Sequence, residues 1–95
     1  MKSANDLVRL DLRVTGRVQG VYFRAATAAQ AEALGVTGFA HNLPDGSVAI
    51  VAEGARKKLE QLHRWAQHGP PGAHVAEIFV AWGTFQDEFA GFSVR

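Results

Sequence analysis

The sequence predicts an α+β sandwich, ordered βαββαβ with a short extra strand, in which two helices cover one face of an antiparallel sheet. Apolar residues alternate at Val8, Leu10, Leu12 and Val14 against Arg9, Asp11 and Arg13, the period of a strand with one buried face. The period then changes to that of a helix: 23–34 is rich in alanine, and 55–68 places Leu59, Leu62 and Ala66 on one side. Short β-rich runs bounded by turn residues fill the remainder. A chain of 95 residues has material for one domain, spanning 1–95. Such a domain buries roughly 60–70% of the surface its unfolded chain exposes.

The first strand runs into Gly16-Arg17-Val18-Gln19-Gly20-Val21-Tyr22-Phe23-Arg24, a stretch that turns on two glycines and opens a helix beside an arginine. In that helix Ala28, Ala31 and Leu34 share a face. The second strand is 36–42, and Leu43-Pro44-Asp45-Gly46 suits a tight type I turn. The third strand therefore returns as a hairpin over 47–53, with Val48, Ile50 and Ala52 alternating, and Gly54 ends it. The second helix stops at Gly69-Pro70-Pro71-Gly72, where a glycine cap meets prolines that cannot continue it. A fourth strand covers 75–83, and 89–94 offers a fifth. Right-handed crossovers, each split by one strand, give the sheet order 4-1-3-2, the ferredoxin-like arrangement. Strands 1 and 2 then run parallel, so Arg24 and Asn42 emerge at one edge, about 10 Å apart with strand 3 between them.

Composition excludes several function classes. Ten basic and nine acidic residues leave a formal net charge of +1, too balanced for nucleic-acid binding by bulk electrostatics. The absence of cysteine removes disulfides, thiolate metal sites and a thiol nucleophile. The polar start, Met1 to Asp6, leads into a strand without an apolar export segment, and no run approaches a membrane span, so a cytoplasmic address is expected. His63, His68 and His74 lack the i, i+4 spacing that sets two ligands on one helix face, so no metal is expected. Arg17, Lys57, Lys58 and Arg64 fit solvated surface, and Trp65 and Trp82 fit core or core-edge positions.

The glycine turn fits an anion cradle. Glycines allow positive φ, successive N–H groups converge, and a helix N-terminus adds partial positive charge. The stretch 16–24 resembles the first signature of the acylphosphatase family. Gly38-Phe39-Ala40-His41-Asn42-Leu43-Pro44-Asp45-Gly46-Ser47-Val48 resembles the second, and the likeness extends over nearly the whole chain. His41 stands where that family more often carries arginine or lysine, and strand alternation turns it away from the face of Asn42. The resemblance implies hydrolysis of a carboxyl-phosphate mixed anhydride to a carboxylate and inorganic phosphate. It also implies a monomeric enzyme that uses no cofactor or metal and acts on a small-molecule acyl phosphate, with inorganic phosphate or sulfate as a further ligand of the site. No nucleic-acid or membrane partner is implied.

The residues give that chemistry a physical basis. The backbone N–H groups of Gln19, Gly20, Val21, Tyr22, Phe23 and Arg24, with the Arg24 guanidinium, are expected to hold the phosphoryl oxygens. Asn42 is expected to hold the attacking water through its amide. Tyr22 and Phe23 are expected to be packing residues whose backbone does the binding. An RNA-binding module of the same strand-helix order would need aromatics on strands 1 and 3, and 7–14 and 47–53 contain none. The resemblance of the loop also suits a non-catalytic or carbamoyl-phosphate-directed acylphosphatase-like module of a larger maturation protein, and the fold suits a small-molecule regulatory domain.

Overall fold

The computed structural model describes residues 6–95. The polar start lies outside that range over residues 1–5. The chain forms β1 (Leu7–Arg17), α1 (Phe23–Leu34), β2 (Thr37–Asn42), β3 (Val48–Ala55), α2 (Arg56–Ala66), β4 (His74–Thr84) and β5 (Phe92–Val94). The sheet order is β4-β1-β3-β2-β5. The first four strands pair antiparallel as the right-handed split crossovers require, whereas β5 runs parallel to β2 and makes the sheet mixed.

β1 and β3 form the centre. Leu10, Leu12 and Val14 pair with Ala52, Ile50 and Val48, all buried on the helix-covered face. Leu59, Leu62 and Ala66 of α2 join the same core, as the 3.6-residue spacing predicts. In α1 the buried stripe is Phe23, Thr27 and Ala31 rather than Ala28, Ala31 and Leu34. A hydroxyl tolerates this position because Thr27 Oγ1 donates to the Phe23 carbonyl at 2.8 Å, so no buried donor is left unpaired. Gly35 closes α1 in the left-handed region at φ 73°, with Val36 N donating to the Ala31 carbonyl at 3.0 Å.

Several boundaries differ from the sequence pattern. β1 continues through Gly16, which at φ 115° sits where the β1–β4 register shifts. A Cβ there would lie 2.2 Å from the His74 carbonyl oxygen, so this glycine serves strand pairing and only Gly20 serves the turn. Gly54 likewise does not end β3, and β5 shrinks to Phe92–Val94 because 85–91 crosses the sheet and meets β2 at Gly91, whose carbonyl accepts from Gly38 N at 3.0 Å. Trp65 packs its ring 5.5 Å from Phe23 at the core edge. Trp82 is 36% exposed, covered by the Arg56 guanidinium 4.2 Å above it.

The crossing segment is anchored by Glu53, which alternation places on the sheet face away from the helices. Its carboxylate is nonetheless buried, accepting hydrogen bonds from Gln86 N at 2.7 Å, Glu88 N at 3.0 Å and Arg9 Nη1 at 3.3 Å. Burial alone would raise its pKa; the two backbone donors and Arg9 outweigh that and hold the carboxyl below its ordinary value of 4.5. A carboxylate with a lowered folded pKa contributes stability above its unfolded pKa, and that contribution is lost as pH falls through the folded value. Glu53→Gln is therefore expected to cost about 2–4 kcal/mol near neutral pH, from a buried acceptor replaced in part by a donor. Urea titrations at pH 7 and through the acid range would show it: the difference between wild type and Glu53→Gln narrows below about pH 4. Equal stability at pH 7 would deny Glu53 its anchoring role.

Candidate functional site

The site lies where β1 hands over to α1. Between Arg17 and Phe23 the backbone leaves the strand, and Gly20 adopts φ 76°, the left-handed conformation glycine accepts without strain. A Cβ on Gly20 would meet nothing within 4 Å, so the loop has open space in front of it. Tyr22 then caps α1 at φ 62°, ψ 26°, without a side-chain hydrogen bond to the helix. Among the described residues, the N–H groups of 19–24 find no acceptor within the protein. A helix start with unpaired donors and no acidic residue in its first turn favours an anion.

Two contacts fix the cradle. Gln19 Nε2 donates to the carbonyls of Leu43 and Ser47, each at 2.9 Å, tying the loop to the β2–β3 turn. That turn is closed by Leu43 N to the Ser47 carbonyl at 2.8 Å and Gly46 N to the Leu43 carbonyl at 3.1 Å, the tight geometry expected from Pro44 and Gly46. Asp45 Oδ1 accepts from Ser47 Oγ at 2.5 Å and from Ser47 N at 2.9 Å, and these two bonds hold its carboxyl below the usual range. On the other side Gly69 follows α2 at φ 69°, and a Cβ there would lie 2.4 Å from the Phe23 ring. The first residue of α1 is thus wedged by the end of α2, and its ring is fully buried.

One cavity of about 330 Å³ is lined by Val18, Gly20, Tyr22, Phe23, Arg24, Ala25, Asn42 and Val94. Arg24 and Asn42, on different elements and 18 positions apart, meet at this one opening. Asn42 pairs with Val48 and so shares the core-facing side of the sheet, whereas His41 pairs with Ala49 on the opposite face and is exposed. The Oδ1 of Asn42 is buried, and no group among the described residues donates to it. Such an acceptor costs about 1–3 kcal/mol while unmatched, so a water or a ligand is its natural partner. Arg24 Nη1 donates to the Arg95 carbonyl at 2.7 Å, which steadies the guanidinium and leaves the Nε–Nη2 edge without a protein partner among the described residues.

Of the six residues expected to cradle phosphate, Gly20, Tyr22, Phe23 and Arg24 line the cavity. Gln19 and Val21 do not: the first holds the loop through its side chain and the second packs against the core. Tyr22 is the clearest departure among the expected packing residues, for 85% of its surface is exposed while Phe23 is buried. A non-glycine residue in the left-handed region costs about 1–3 kcal/mol, and Tyr22 gains little core packing against that. Val18, Ala25, Val94 and the Arg95 carbonyl join the site without a sequence pattern that singles them out. The last two belong to it because β5 lies beside β2, a placement no local pattern encodes. Among the described residues no three His, Cys, Asp or Glu side chains group in a way that could hold a metal ion. No helix among them is long and apolar enough to cross a membrane.

The family described as acylphosphatase matches residues 10–94. An acylphosphatase of Anaeromyxobacter sp. (strain Fw109-5) is 48% identical over 90 residues, covering 95% of this chain and 97% of the relative. The solved structure of an acylphosphatase from Coxiella burnetii superposes with a TM-score of 0.92 at 33% identity, covering 100% of this chain and 99% of that one. A full-length HypF crystallised in a phosphate- and nucleotide-bound form contains a similar region, with a TM-score of 0.84 at 26% identity. That region covers 94% of this chain but only 12% of HypF.

Proposed function

This chain belongs to the acylphosphatase family and hydrolyses acyl phosphates, and from that premise we propose that Arg24, the amides of 19–24 and Asn42 carry the reaction. The observation that carries the proposal is the buried, unmatched Oδ1 of Asn42 in the same cavity as Arg24. The phosphoryl oxygens sit against the N–H groups of the loop and the free edge of the guanidinium, where charge builds as the P–O bond to the acyl group breaks. Asn42 accepts a hydrogen bond from water and aims its oxygen at phosphorus, on the side away from the leaving carboxylate. The carboxylate leaves without being protonated, so no general acid is needed. The proton of the attacking water passes to the phosphoryl group. With a loose transition state, positioning and charge stabilisation supply the acceleration.

The proposal extends to metal-independent turnover by a single chain in the cytoplasm, with residues 1–95 as one domain. The meeting of both side chains in one opening of one chain supports the monomer, and the single core from Leu10 to Ala66 supports the single domain. Hydrolysis of benzoyl phosphate, followed with and without a chelator, tests the reading. The expected result is turnover unaffected by chelation and inhibited competitively by inorganic phosphate. Loss of activity on chelation would refute metal independence, and no turnover in either condition would refute the assignment of the site. Comparing carbamoyl phosphate with benzoyl phosphate in that assay separates this reading from that of a carbamoyl-phosphate-directed module.

A further inference from the structure

We propose that Tyr22 determines substrate specificity: its ring forms the outer wall of the cavity on which the acyl group lies, and it selects aromatic acyl phosphates over short aliphatic ones. This rests on the reading of Arg24 and Asn42 as the reaction centre. The lining divides by chemistry. Arg24, Asn42 and the Gly20 backbone are polar, while Val18, Phe23, Ala25 and Val94 are apolar. A phosphoryl group held by the polar members leaves its acyl substituent against the apolar ones, and Tyr22 stands among them as the exposed aromatic side chain. Its ring stacks on no other aromatic among the described residues, and its hydroxyl has no protein partner there. The left-handed backbone at φ 62° holds this side chain at the opening of the loop instead of turning it into the core.

An acetyl group has two carbons and little surface to lay on that ring. A benzoyl group presents a flat face or an edge, the offset and tilted arrangements aromatic pairs favour. That interaction is worth roughly a three- to tenfold gain in kcat/KM.

The test is the ratio of kcat/KM for benzoyl phosphate to that for acetyl phosphate in wild type, Tyr22→Phe and Tyr22→Asn. Both substrates are measured on the same preparation, so the ratio does not depend on the folded fraction. Asparagine tolerates the left-handed backbone while removing the ring, and Tyr22→Gly, at home at that φ, serves if Tyr22→Asn does not fold. The expected result is a ratio that falls roughly three- to tenfold in Tyr22→Asn and is kept in Tyr22→Phe. An unchanged ratio in Tyr22→Asn or Tyr22→Gly overturns the proposal, as does an equal fall in Tyr22→Phe, which would assign the effect to the hydroxyl. If wild type hydrolyses neither substrate, the reading of the reaction centre fails, and this inference with it. If both are hydrolysed and the ratio does not respond, only the role of Tyr22 fails.

Discussion

Asn42→Ala is expected to lower kcat for benzoyl phosphate by about 10³-fold, equivalent to about 4 kcal/mol of transition-state stabilisation. Inorganic phosphate should still bind with little change, because the loop amides and Arg24 are untouched. The same substitution removes a buried acceptor that no group among the described residues satisfies, so it should leave the urea midpoint unchanged or slightly higher. That pairing of outcomes separates function from structure. An asparagine serving the turn before Pro44 would, when truncated, cost stability and spare the rate. Single-turnover and steady-state kinetics together with urea titration give both readouts. Wild-type kcat in Asn42→Ala would remove the water-holding role.

Arg24→Lys tests the other half of the site. The guanidinium is planar and presents two parallel donors on its free edge, while Nη1 is held by the Arg95 carbonyl at 2.7 Å. An ammonium keeps the charge but cannot serve both contacts with a fork. Phosphate affinity should fall about tenfold and kcat/KM by about 10²–10³-fold, with a larger loss in kcat than the phosphate effect alone explains. Competitive inhibition by inorganic phosphate measures the first and initial rates the second. Unchanged phosphate affinity would mean that charge suffices at this position and that the fork geometry contributes nothing.

Much of this was legible along the chain. The alternation of Val8 to Val14 and the spacing of Leu59, Leu62 and Ala66 reported faces that turn to the core, with only Val8 half-buried, because strand and helix periods are local properties of the backbone. The turn at Pro44 and Gly46 and the left-handed Gly20 were legible for the same reason. The α1 stripe lies at Phe23, Thr27 and Ala31 because alanines on several sides of the helix leave its apolar face weakly marked, and a threonine that bonds its own helix passes for apolar. Gly16 was misplaced because its constraint comes from His74 and Ala76 on another strand.

By itself the sequence determined the order of elements, the crossover topology that brings Arg24 and Asn42 to one edge, and the likeness of both stretches to a phosphate-handling family. Each of these follows from near neighbours or from chirality rules that apply to any chain. Only the tertiary structure decided that residues 85–91 cross the sheet on the buried carboxylate of Glu53, that β5 pairs parallel with β2, and that the Arg95 carbonyl thereby reaches Arg24. It also decided that Tyr22 faces solvent while Phe23 is enclosed. These depend on contacts between residues up to 71 positions apart. Their energy exists only once the chain has closed those loops, so no local period or propensity carries them.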